Sequence, residues 1–234
     1  MSATTTSKKK NTAKSIQGSP RVFTFVVLGL ACIYFLMPVW WLIVASTKSN
    51  SGLFFGAHGS MWFDKKFALW DNIKQLCTYQ DGIYWRWIGN SFLYALVGGF
   101  GATAVAVMAG YGFSKFRFRG KNAYFNIVLG ALMIPSTALV IPTFLLMSKI
   151  GMTNTIWAVL LPSLLNPMGV YLMRIYCMES LPNEMLEAAR VDGAGELRTF
   201  AQVSLPIMTP AITTVFLLSV VGAWNNYFLP QVVL

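Results

Sequence analysis

The chain has 234 residues, 56% of them hydrophobic and only 11% charged, with a mean hydropathy of +0.57. Soluble domains carry roughly 25% charged residues, so this composition excludes an ordinary water-soluble globule. A net charge of +10 invites a nucleic-acid reading, but the placement of the cations along the chain sets that aside.

Residues 1–20, "MSATTTSKKKNTAKSIQGSP", are polar and basic and read as a disordered cytoplasmic tail. The apolar run that follows is too long for the h-region of a cleavable signal peptide. A hydrocarbon core about 30 Å thick needs about 20 mostly apolar residues per helix. Five such stretches occur, near Val22–Ser46, Trp87–Phe113, Ala123–Met147, Ile156–Tyr176 and Pro206–Leu229. Unpaired backbone groups are not tolerated in lipid, so the expected fold is all-α: a polytopic helical membrane protein with five transmembrane helices, in contact with membrane lipid. Lys8, Lys9, Lys10, Lys14 and Arg21 precede the first stretch, and Lys115, Arg117, Arg119 and Lys121 lie between the second and third. This positive-inside pattern assigns the N-terminus, the 114–121 loop and a 177–205 loop to the cytoplasmic side. The cations thereby read as topology signals, with no nucleic-acid partner.

The 47–86 segment is expected outside. Its "FDKKFALWDNIKQL" places Phe67, Leu69, Trp70, Ile73 and Leu76 along one side of an interfacial helix, which would lie on the bilayer or touch an external partner. His58 stands in the same segment as a solvated loop residue, and Cys32, Cys77 and Cys177 have no metal or disulfide spacing. In the second stretch Gly98, Ala102, Ala106 and Gly110 recur every four residues. Such a stripe lets another helix backbone approach closely; packing and pore lining are the two readings. Pro135 and Pro142 in the third stretch, and Pro162 and Pro167 in the fourth, are expected to bend their helices, around a cavity or as packing kinks. No Asp, Glu, Lys, Arg or His lies well inside a stretch, so the relay groups that ion pumps and many ion-coupled carriers use are missing. No phosphate-cradling loop, nucleophile–base pair or paired carboxylates stand out either. If this chain does work, another chain supplies the energy.

The greasy pattern breaks at residues 187–206, "EAARVDGAGELRTFAQVSLP". Pro182 and Glu184 suit a helix start, and Asn183 to Val191 reads as a short helix with Glu187 and Arg190 at an i,i+3 spacing. Asp192-Gly193-Ala194-Gly195 is turn chemistry, with Gly193 free to take a positive φ. A second helix is expected to carry Leu197, Phe200 and Ala201 on one face. Leu205-Pro206 opens the last apolar stretch. The result is an amphipathic helix–turn–helix whose small-residue face, at Ala188 and Ala189, suits insertion into a groove on another protein. Within the apolar stretches, Asn166, Trp224, Asn225 and Asn226 are candidates for a substrate pathway, because sugars suit aromatic faces combined with amide hydrogen bonds. The alternative reading of the asparagines is interhelical glue.

Glu187-Ala188-Ala189, then Gly193, then Val203-Ser204-Leu205-Pro206 resembles the EAA loop of ATP-binding cassette (ABC) importer permeases. "GYGFSKFRFRGK", "MIPSTALVIPTFLLMSKIGMTNT", "LPNEMLEAARVDGAG" and "WNNYFLP" are similar to its carbohydrate-uptake branch, specifically the maltose-type second permease, from about Trp87 onward. The resemblance implies that residues 21–234 form a type I importer transmembrane domain in a bacterial-type plasma (inner) membrane. It implies that the 177–205 loop is a coupling loop docking on an ABC ATPase subunit through Glu187, Ala188, Ala189, Arg190, Asp192, Gly193, Leu205 and Pro206. Its implied partners are ATP-binding subunits carrying ATP and Mg, a second permease and an extracytoplasmic solute-binding protein. No catalysis and no cofactor of its own are implied. Such permeases have six spans, whereas five from an inside N-terminus leave Leu234 outside, so the chain is expected to stop before the last helix. An ion-coupled secondary carrier and a non-carbohydrate ABC permease are the rival functions.

Overall fold

The computed structural model describes residues 21–55 and 61–234; the basic tail and His58 lie outside these residues. The described residues are helical without strands, and they divide into two compact units, one up to Ile83 and one from Tyr84 onward.

In the first unit, α1 (Arg21–Ser46) runs 26 residues with Pro38 inside. It is followed by α2 (Asn50–Phe55) and α3 (Leu69–Thr78). Nearly every apolar side chain of α1 is exposed, and only at its end does Val44 become buried, as suits a helix whose solvent is lipid. Beyond it the chain folds back on itself. The Asn72 amide donates to the Ser46 and Lys48 carbonyls at 2.9 and 2.8 Å, and the Lys48 ammonium lies 3.8 Å from the Asp64 carboxylate. On α3, Trp70, Ile73 and Leu76 are exposed along one side, matching the amphipathic pattern; Phe67, included in the expected helix, precedes it.

The second unit begins with α4 (Ile83–Lys115), whose 33 residues span about 50 Å. Next come α5 (Lys121–Ala131), a 3₁₀ turn (Ser136–Leu139) and α6 (Val140–Lys149). α7 (Trp157–Ser163) and α8 (Pro167–Ser180) follow, then the short α9 (Asn183–Val191) and α10 (Glu196–Thr199). A π turn (Phe200–Ser204) leads into α11 (Leu205–Trp224), and α12 (Phe228–Val233) ends the chain.

Three expected spans are interrupted. The third is two pieces, α5 and the 3₁₀–α6 run, meeting at 99°. Pro135, with ψ of 128°, cannot continue the helix, and each piece alone is too short to cross about 30 Å of hydrocarbon. The fourth breaks at Leu164–Asn166, where Asn166 is driven out of helical conformation (φ −126°, ψ 82°) by the following Pro167. The fifth ends at Trp224 rather than Leu229, because Asn225 and Asn226 separate α11 from α12. Among the described residues, four helical stretches are long and apolar enough to cross a bilayer, and five if the bent pair is counted.

The small-residue stripe of α4 serves packing. A Cβ on Gly110 would lie 2.5 Å from Met173 Cβ and 2.8 Å from the Arg174 amide nitrogen, so α8 touches the α4 backbone there. A Cβ on Gly99 would lie 2.6 Å from Val220 of α11, and one on Gly98 would meet Ser163 of α7 at 3.4 Å. Ala106, fully buried, sits against Gly169 of α8. Around this seam Val107, Val170, Met173, Cys177, Met208 and Val215 form the main core. A second core joins Val140 and Met147 of α6, Ala158 and Val159 of α7, and Leu229 and Val233 of α12.

Two cations also fasten helices to one another. Lys121 donates to the Ser114 and Phe116 carbonyls at 3.1 and 3.0 Å, closing the end of α4. Arg174, near the end of the fourth stretch, lies with its guanidinium carbon 3.8 Å over the Phe125 ring, a cation–π contact joining α8 to α5.

Gly110→Val should cost about 1–3 kcal/mol through overpacking, read as a lower thermal midpoint in detergent. Gly112→Ala, where a Cβ meets nothing within 4 Å, should leave that midpoint unchanged.

Candidate functional site

The interrupted segment folds as its residues suggest. α9 covers the expected Asn183–Val191, with Pro182 one position before it. The helix ends in a Schellman motif: Ala194 N–H donates to the Ala189 carbonyl and Gly193 N–H to the Arg190 carbonyl, both at 3.0 Å. Gly193 takes φ of +81°, a conformation that side-chain-bearing residues resist. The segment is anchored on its inner side. Leu186 is buried, Phe200 packs on Tyr111 of α4 with ring centroids 4.9 Å apart, and Lys115 donates to the Leu181 carbonyl and the Asn183 side chain.

Two expectations fail here. Arg190 does not pair with Glu187; its Nε donates to Glu196 Oε1 at 2.8 Å and its Nη2 to Oε2 at 3.3 Å. The turn brings Glu196 up to the guanidinium fork, and a two-point carboxylate contact uses that fork better than a neighbour on the same helix. The hydrogen bond and charge of Glu196 raise the Arg190 pKa above its ordinary value, with Glu187 a lesser contributor. The second helix also buries a different face. Leu197 is 85% exposed and Ala201 is exposed, whereas Thr199 and Ser204 are fully buried. The π turn is the cause: its i→i+5 spacing puts residues five apart on one side, which a 3.6-residue period does not foresee.

What remains outward is an apolar face with charged edges. Val191 and Leu197 are 87% and 85% exposed, and Ala188 lies exposed one turn before Val191. Glu187, Arg190 and Asp192 border it, all exposed. Leu205 and Pro206 form the first turn of α11 instead, so they connect the segment to the span rather than share that face.

The four polar candidates within the spans separate. Asn166 caps α8, accepting from Gly169 N–H at 2.8 Å, and its amide donates to Ser219 Oγ of α11 at 2.8 Å. It is structural glue. Asn225 caps the end of α11. Trp224 and Asn226 instead line a cavity of about 450 Å³. Trp224 is held edge-on to Phe92, with centroids 5.2 Å apart, and Asn226 accepts from Leu229 N–H at 3.4 Å. The cavity's other polar and aromatic lining includes Trp87, Asn90, Ser91 and Tyr94 of α4 and Gln231 of α12. Sequence reasoning missed these, although Trp87, Asn90, Ser91 and Tyr94 follow the i, i+3, i+4, i+7 spacing of one helix face. No metal-binding cluster of His, Cys, Asp or Glu occurs among the described residues.

The family described as "Binding-protein-dependent transport system inner membrane component" matches residues 102–234. The arabinooligosaccharides transport system permease protein AraQ of Halalkalibacterium halodurans is 35% identical over 218 residues, covering 92% of this chain and 77% of that protein. The lactose transport system permease protein LacG of Rhizobium radiobacter is 32% identical, covering 92% and 76%. The sn-glycerol-3-phosphate transport system permease protein UgpE of Pectobacterium atrosepticum is 27% identical, covering 91% and 75%. A solved bacterial ABC transporter involved in import of the acidic polysaccharide alginate matches with a TM-score of 0.79 at 27% identity, covering 91% of this chain and 73% of that one.

Asn166→Ala removes a helix cap and an interhelical bond, and should cost about 1–2 kcal/mol, seen as a lower thermal midpoint. Gly193→Val meets no neighbour, so its cost is the backbone conformation alone, about 1–2 kcal/mol, seen as faster amide exchange confined to 183–199.

Proposed function

The chain belongs to the family of binding-protein-dependent transport system inner membrane components, and on that premise we propose that its 183–204 segment is the coupling element by which ATP-binding subunits drive sugar import. It is a multi-pass permease subunit of an importer and not a catalyst. ATP is bound with Mg and hydrolysed on separate ATP-binding subunits, and this chain holds no cofactor. A second permease completes the pathway, and an extracytoplasmic solute-binding protein delivers the substrate. The setting is a bacterial inner membrane, with the N-terminus and the 177–205 loop on the cytoplasmic side and the 47–86 segment outside.

The observation that carries this reading is that Val191 and Leu197 are 87% and 85% exposed on a segment whose other side is fastened to α4. Apolar side chains held out at a charged border suit the core-and-rim chemistry of a protein interface. The two-point Arg190–Glu196 bond ties α9 to α10, so a push on the outward face moves both helices together. Lys115 and the Tyr111–Phe200 contact pass that motion to α4, and the π turn passes it to α11. Glu187, Ala188, Ala189, Arg190, Asp192 and Gly193 are the docking and turn residues. Leu205 and Pro206 transmit rather than touch.

Carbohydrate is the substrate class supported by the permeases named for arabinooligosaccharides and lactose. The relative named for sn-glycerol-3-phosphate makes a phosphorylated polyol the alternative substrate class.

In the complete importer, Ala188→Trp should reduce recovery of the ATP-binding subunit in detergent pull-down. Uptake should fall by about tenfold or more, the factor that about 1.4 kcal/mol of lost docking energy produces. Glu187→Lys should lower uptake and substrate-stimulated ATP hydrolysis together. Both variants should still co-purify with the partner permease. Normal uptake in both would reduce the segment to an interfacial helix pair.

A further inference from the structure

We propose that the cavity between α4, α7, α11 and α12 is a binding site for an uncharged glycan, which makes this subunit a direct contributor to substrate selection; the assignment rests on the importer reading above. Its volume of about 450 Å³ falls within the roughly 300–1,000 Å³ of small-molecule sites. Its lining combines the flat faces of Trp87, Tyr94, Trp224 and Tyr227 with the amides of Asn90, Asn226 and Gln231. Aromatic faces take the C–H side of a sugar ring, and amides, which both donate and accept, match its hydroxyls.

Two features point to a ligand rather than to packing. Among the described residues, the side chains of Asn90, Ser91, Tyr94 and Gln231 have no hydrogen-bond partner. In a membrane helix an amide without a partner is costly, so these groups face water or a polar guest. Asn166 shows the contrast, with both ends of its amide engaged by the protein. The second feature is charge: no lining residue carries one. A phosphate ester or a uronate seated against this lining would give up part of its hydration with no cation to offset it, so the site favours neutral sugars.

The test uses the complete assembly in proteoliposomes, with its partner permease, ATP-binding subunits and binding protein. Labelled arabinotriose and lactose serve as neutral probes, and glucose 6-phosphate as the anionic one. The wild type should take up a neutral probe in preference to the phosphate. Asn90→Leu and Gln231→Leu should each raise the KM for that probe by about tenfold, as losing a ligand hydrogen bond does, and Asn90→Gln should restore most of it. Ser91→Ala, which adds no bulk, should raise KM by about threefold and replaces any leucine variant that fails to co-purify with its partners. Unchanged KM in the substituted forms of a transporting assembly, or preference for the phosphate, would overturn the cavity assignment alone. An assembly that moves none of the three probes would overturn the neutral-glycan assignment, whereas a chain that recovers no ATP-binding subunit on purification would remove the importer reading and the assignment with it.

Discussion

The close approach of the α4 backbone to α8 is the contact on which the rest of the second unit depends. In lipid, helices gain little from burying apolar surface against one another, so association relies on dense packing and on small residues that admit it. Gly110, with the Met173 side chain and the Arg174 backbone at its surface, and Gly169, facing Ala106, provide that density. Once α4 and α8 are locked, Leu181 and Asn183 arrive beside Lys115, and the start of the helix–turn–helix is fixed in place. At the other end of α4, the same rigid helix presents Trp87 to Tyr94 as one wall of the cavity.

The molecule therefore joins two sites along a single helix. α4 meets α11 at both ends, at the loop through Phe200 of the π turn that leads into it and near the cavity directly through the Phe92–Trp224 contact. The breaks in the other spans fit this arrangement. The Asn166–Pro167 break lets α7 line the cavity while α8 runs on to the loop, and the Asn166 side chain holds the start of α8 to α11.

Much of the loop was legible before any coordinates. Glycine at 193 after a short amphipathic helix leaves few alternatives to a left-handed cap, and the bounds of α9 follow from Pro182 and that glycine. The partner of Arg190 was not legible. A periodic reading sees neighbours on one helix, whereas Glu196 reaches Arg190 only once the turn closes. The buried face of the second helix escaped for a related reason, since the π turn shifts the register by a residue and no residue in "FAQVS" announces it.

The sequence by itself determined the class of the molecule: apolar stretches long enough for lipid, and a charged, glycine-punctuated interruption with a recognisable spacing. These are local or one-dimensional properties, and hydrocarbon thickness and backbone satisfaction act on them directly. The roles of individual polar residues were decided only by tertiary structure. Asn166 and Asn226 look alike in sequence, each beside an apolar run, yet one finds Ser219 across the helix seam and the other faces an uncharged cavity. What an amide does in a membrane depends on which groups lie within about 3 Å of it, and that is set by helices distant in the chain.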